Sequence, residues 1–153
     1  MGTLCTPQRW AAEKKILVQK ASNFRVYESG GTTRVEGWHT TGSGNRFKLQ
    51  IPDLSGFPVS PMSLWVTSPQ TLPKYGGGTV NSVGSSHSFH THSNGPNGCI
   101  QICHHRSWDA SKTVWSVLFK GILWLTAYEI HEATGRHISD TMKELRKIHE
   151  SCK

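Results

Sequence analysis

The sequence predicts an α+β domain: an N-terminal helix, a four-stranded antiparallel meander, then a central and a C-terminal helix. Three observations predict it. Thr6-Pro7 is a hydroxyl cap followed by proline, a favourable helix start. Between residues 24 and 67, short alternating segments are separated by turn residues. From Val114 to Tyr128 the apolar residues recur with helical spacing. A chain of 153 residues with 35% hydrophobic and 18% charged residues fits one domain spanning residues 1–153, with enough apolar material for a core.

The first helix is expected to run to about Gln19, with Trp10, Ile16 and Leu17 on one face and Lys14, Lys15 and Lys20 towards solvent. Strands are expected at residues 24–27 and 33–39, with Gly30-Gly31 turning the chain between them. In the third strand, Phe47, Leu49 and Ile51 alternate with Lys48 and Gln50, the pattern of a half-buried strand. Residues 63–67 make the fourth. Residues 69–86 are rich in Gly, Ser and Pro without periodicity and read as a long flexible loop, the kind that is functional or disordered. Residues 87–105 gather histidines and two cysteines. In the central helix Val114, Val117, Leu118, Gly121, Ile122, Leu125 and Tyr128 share a face, and Gly135 supplies a terminal glycine. Trp115, Phe119 and Trp124 spread apolar surface around this helix, which predicts that it is buried or covered by a partner. The last helix is expected after a Ser139 cap, carrying Met142, Leu145 and Ile148.

The first fifteen residues, MGTLCTPQRWAAEKK, lack the apolar core of a signal peptide, and residues 114–130 are too short and too polar to span a bilayer. The expectation is a cytoplasmic protein with no membrane partner. In that compartment Cys5, Cys99, Cys103 and Cys152 are expected as free thiols or metal ligands rather than disulfides. Cys5 and Cys152, near the termini, are expected to be incidental. The formal charge of +7 suggests an acidic partner. No Arg/Lys-rich tract interleaved with aromatics is present, so nucleic acid is not the expected one.

The element order and three local motifs resemble the ubiquitin-conjugating enzymes. FKLQIPDLSGFPVSP (residues 47–61) is similar to that family's alternating strand, short turn and aromatic-Pro-x-x-Pro step into the fourth strand. SFHTH (residues 88–92) resembles its aromatic-His-Pro-Asn segment, and WDASKTV (residues 108–114) its Trp-Ser-Pro-Ala-x-Thr lead into the central helix. WLTAYE (residues 124–129) and Thr134-Gly135 look like the central helix of bacterial members found in antiphage defence operons.

The resemblance implies an enzyme that receives a ubiquitin-like modifier from an activating enzyme as a cysteine thioester and passes it to an amine on a target protein. That chemistry calls for no cofactor. It needs an accessible thiol and donors for the tetrahedral oxyanion. Two cysteines compete. Cys99 lies nine residues after His90 and nine before Trp108, near the family's intervals, and Ile100-Gln101-Ile102 after it alternates as a strand would. Cys103 follows an isoleucine, as the family's cysteine does, whereas Cys99 follows Gly98. His90 would be the family's structural histidine. His92 stands where the family has its oxyanion-stabilising asparagine and Thr91 where it has proline; His92, Asn94 or Asn97 would supply the donor. Ser107 is a further candidate, as an oxyester carrier. Lys14, Lys15 and Lys20 correspond to the surface that docks the activating enzyme. The departures around His92 leave a catalytically inactive, partner-binding variant as the alternative. The cluster of His87, His90, His92, Cys99, Cys103, His104 and His105 holds zinc-ligand types, yet no second cysteine pair completes a site, and no metal is expected.

Overall fold

The structure, a computed structural model, describes residues 2–151, with side chains through residue 149. Helix α1 (Pro7–Lys20) starts where the sequence predicts, the Thr6 hydroxyl accepting from the Arg9 N–H. It is followed by β1 (Phe24–Ser29), β2 (Thr32–Thr40), β3 (Arg46–Ile51) and β4 (Trp65–Ser68). Two more strands follow, β5 (Thr91–His92) and β6 (Ile100–Ile102), and then helices α2 (Val114–Thr134) and α3 (Ile138–Ser151).

The sheet thus has six strands rather than the four expected, antiparallel throughout, in the order β1-β2-β3-β4-β6-β5. The two extra strands are only two and three residues long, too short for period-two alternation to stand out from an irregular segment. What pairs them is the Gly95-Pro96-Asn97-Gly98 turn, in which Asn97 and Gly98 take left-handed backbone angles (φ 59° and 74°).

One face of the sheet is the core. Val35, Phe47, Leu49, Ile51, Val66, Ile100 and Ile102 point inward and are buried with Trp10 and Leu17 of α1 and the apolar residues of α2. Every α2 residue from position 114 to 131 is buried or half-buried, as its all-round apolar pattern predicts. The sheet, α1 and α3 cover it. Gly121 permits the close approach: a Cβ there would lie 2.9 Å from Leu64 and 3.1 Å from Leu49. Gly135 closes the helix in the left-handed region, its N–H donating to the His131 carbonyl at 2.8 Å.

The termini of these helices hold two departures from the sequence reading. Glu13 is 3% exposed, in place of Ile16 on the buried face of α1. Its carboxylate accepts the Val114 N–H at 2.8 Å at the first turn of α2 and lies 3.4 Å from Arg9, whose guanidinium also donates to the Ala110 and Lys112 carbonyls. An anion at the positive end of a 21-residue helix is well placed. Ser139 is not a cap. Helix α3 begins at Ile138, and the Ser139 N–H donates to the Ser88 carbonyl at 3.0 Å. Met142 is buried, but Ile148 is 59% exposed. No described helix is long and apolar enough to cross a membrane.

Candidate active site

The β5–β6 hairpin organises the histidine and cysteine residues. Its register pairs Thr91 with Ile102 and His92 with Gln101. The turn closes with the Gly95 N–H on the Cys99 carbonyl at 2.9 Å, and the Cys103 N–H donates to the His90 carbonyl at 3.0 Å. Continuing the register sets Asn94, not His92, across from Cys99. Cys99 and Cys103 lie at opposite ends of β6 with the same parity as Gln101, opposite to inward-facing Ile100 and Ile102. Four extended residues put them roughly 13 Å apart, beyond disulfide reach. Cys5, Cys99 and Cys103 are free thiols. Cys152 lies outside the described residues. No group of three or more His, Cys, Asp or Glu among the described residues is arranged to hold a metal ion.

Cys99 is 4% exposed and forms part of the wall of a groove of about 190 Å³ with Gln50, Trp65, Thr67, Gln70, Pro96 and Asn97. Gly95 leaves room for its sulfur: a Cβ at that position would stand 3.0 Å from Cys99 Sγ and 2.9 Å from Trp65 Nε1. Here the glycine serves close packing, since its backbone (φ −80°) suits any residue. Burial pushes the Cys99 thiol above its ordinary pKa, offset in part by the backbone N–H groups of Gly95 and Cys99 itself. Cys103 is half-buried and its pKa is also raised by burial, with the Arg106 charge opposing.

Asn81, which sequence reasoning passed over within residues 69–86, holds the groove together. It is buried in a 3₁₀ turn (Val80–Ser82). Its side-chain oxygen accepts from the Leu72 N–H at 2.9 Å, and its amide donates to the Gln70 carbonyl at 2.8 Å and the Gly98 carbonyl at 2.9 Å. Its own carbonyl accepts from Asn94 Nδ2 at 2.7 Å. The segment expected to be a flexible loop is therefore packed over the hairpin, with Leu72 and Val80 in the core. Gln70 reaches the Asn97 carbonyl at 2.6 Å. The one available signal was an asparagine among glycines and serines, which does not distinguish a turn residue from a buried clamp.

The other predicted residues sit apart from Cys99. His90, with φ 57°, is half-buried beside Cys103. His92 is exposed on a pocket that it shares with Gln101, His104, His105, Arg106 and Trp108. His104 Nε2 lies 2.6 Å from the Met62 carbonyl and must carry hydrogen; its Nδ1 then accepts from His105 Nδ1 at 2.8 Å. On α1, Lys14 is 3.8 Å from Glu28, while Lys15 and Lys20 are exposed.

These histidines give the fold an acid limit. Burial, then the neighbouring cations Arg146 and Lys120, lower the His90 pKa from 6.5 to about 4. Burial, then His104, Lys120 and Lys112, do the same for His105. The unfolded chain therefore binds more protons between pH 6.5 and 4, so their contribution is complete above pH 6.5 and is lost as pH falls towards 4. The two together are expected to cost roughly 2–4 kcal/mol on acidification, allowing for their partial exposure. Denaturant melts at pH 7 and 4.5 measure this; equal midpoints would show that both rings ionise freely in the fold.

Comparison of the sequence with protein-family models and with curated proteins gave no match.

Proposed function

We propose that the protein is a ubiquitin-conjugating-type carrier that holds a ubiquitin-like modifier as a thioester on Cys99. The observation that carries this reading is the Cys99 groove: a thiol at the end of a tight hairpin, flanked by a bare glycine and a loop pinned by Asn81. The helix, antiparallel sheet and two further helices agree with the UBC-like fold that the motifs imply, and two added short strands do not alter that order. In the first step the Cys99 sulfur bonds to the modifier's C-terminal carbonyl carbon, the bond to the activating enzyme's thiol breaks, and that thiol leaves with the proton. In the second, an amine of the target takes the acyl group and Cys99 regains its proton.

In this reading Cys99 is the nucleophile and Cys103 is not. Asn94 supports the turn opposite Cys99, while His90 positions the hairpin through its carbonyl. His92 is a candidate contact for the incoming target. Lys15 and Lys20, with Lys14 beside them, form the docking surface for the activating enzyme. The bacterial antiviral setting and a cytoplasmic location rest on the likeness of residues 124–129 and on the sequence alone.

A second reading, an inactive variant that binds the modifier without bonding to it, draws on the burial of Cys99 and its raised pKa. The two separate on a non-reducing gel after incubation with an activating enzyme and modifier encoded beside this protein. The carrier reading expects a thiol-sensitive adduct that persists in Cys103→Ala and disappears in Cys99→Ala. Modifier binding with no adduct would favour the inactive variant.

A further inference from the structure

We propose that the indole N–H of Trp65 is the hydrogen-bond donor for the oxyanion that forms at Cys99. The proposal rests on the reading of Cys99 as an acyl carrier and assigns a group that neither the motifs nor their spacing suggest.

Trp65 Nε1 is buried and has no hydrogen-bond partner, and it is the one side-chain nitrogen or oxygen in that state among the described residues. Three other indoles of the chain are paired: Trp10 donates to Glu28, Trp108 to the Pro58 carbonyl and Trp124 to the Phe89 carbonyl. Leaving one buried N–H unpaired is unfavourable, and such a group in a folded protein calls for an explanation. Its surroundings supply one. Trp65 Nε1 and Cys99 Sγ lie 2.9 and 3.0 Å from a single point, the place where a Cβ on Gly95 would stand. Both residues also line the same groove. An acyl carbon bonded to Sγ carries its oxygen into the groove that Trp65 also lines, beside the idle donor.

Two of the competing donors are already engaged. Asn94 Nδ2 donates to the Asn81 carbonyl and Gln70 Nε2 to the Asn97 carbonyl. His92 is paired across from Gln101, two positions along the strand from Cys99. Trp65 is instead fixed on β4, paired with Gln50 of β3 on one side and Gln101 of β6 on the other. A donor preset on a sheet, idle in the resting state and close to the sulfur where charge develops, is the arrangement that favours a transition state over a ground state.

The chemistry balances without a cofactor. Sγ bonds to the thioester carbonyl carbon, the carbonyl π pair moves to oxygen, and Trp65 holds that oxyanion. Collapse then expels the leaving thiolate, which takes the proton that Cys99 gave up.

The test uses the full-length protein and a synthetic peptide ending in Gly-Gly as the thioester of a small alkyl thiol, with Cys99 acylation followed by intact mass. Trp65→Phe keeps the aromatic ring and removes the N–H. Acylation is expected to slow roughly ten- to a hundredfold. Alkylation of Cys99 by iodoacetamide, which forms no oxyanion, should be unchanged, and the melting temperature unchanged or higher. Replacement of Trp65 by 3-benzothienylalanine, in which sulfur stands for the N–H in a ring of the same shape, guards against loss of packing and should reproduce the slow acylation. Equal acylation rates for wild type and both variants would overturn the proposal and leave the carrier reading standing. A parallel slowing of alkylation would overturn it too, by assigning Trp65 to thiol placement. No acylation of wild-type Cys99 would remove the carrier reading and this proposal with it.

Discussion

Glu13→Ala is expected to lower stability by about 2–3 kcal/mol. The carboxylate is buried, accepts the Val114 N–H at 2.8 Å and faces Arg9. Alanine leaves that N–H without an acceptor at the start of the longest helix and removes the negative charge from its positive end. Arg9 keeps its bonds to the Ala110 and Lys112 carbonyls, so the loss falls on the α2 terminus. Glu13→Gln retains an acceptor and should cost about 1 kcal/mol, the charge-assisted part. For a domain of this size the alanine variant corresponds to a melting temperature lower by roughly 5–10 °C. Calorimetry on the two variants measures the difference, and equal midpoints would mean that the carboxylate does not hold the helix.

Asn81→Ala is expected to combine a stability loss of about 2–4 kcal/mol with impaired loading of Cys99. Three partners lose their bonds at once, the Leu72 N–H and the Gln70 and Gly98 carbonyls. The Gly98 carbonyl adjoins Cys99, so releasing it frees the turn that sets the sulfur. A roughly tenfold drop in acylation rate is expected even at temperatures where the variant is fully folded, since misplacing a reacting atom by an ångström is enough. Acylation and circular dichroism measured on the same sample separate the two effects. Slow loading in a folded protein supports the clamp, and normal loading would confine Asn81 to stability.

Local signals account for what the sequence conveyed well. The Thr6-Pro7 start, the Phe47, Leu49, Ile51 alternation and the long apolar run capped by Gly135 all appear in the fold, because each is set by nearest neighbours along one element. The misses depend on partners distant in the chain. Glu13 reads as a solvent residue until Val114, a hundred residues on, is placed above it. Asn81 reads as loop, and its value comes from ties to the Gln70 and Leu72 backbone at the far end of that loop and to Gly98 in the hairpin turn. Strand β6 pairs along the edge that β4 offers, and β5 pairs in turn with β6. The site shows the same division. Cys99 and Cys103 were visible as candidates, while Trp65 and Gly95 became part of the groove only once β4 and the hairpin turn were brought together.

The most direct measurement is the chemistry of a Cys99→Ser variant. After incubation with an activating enzyme and modifier encoded beside it, the wild-type protein is expected to gain the mass of one modifier less water in an adduct cleaved by dithiothreitol. In Cys99→Ser the hydroxyl should take the modifier slowly as an oxyester, with the same gain in mass, resistant to dithiothreitol and cleaved by hydroxide. An adduct of Cys99→Ser that remains sensitive to dithiothreitol would place the acyl group on another thiol, Cys103 foremost, and would contradict the assignment of Cys99.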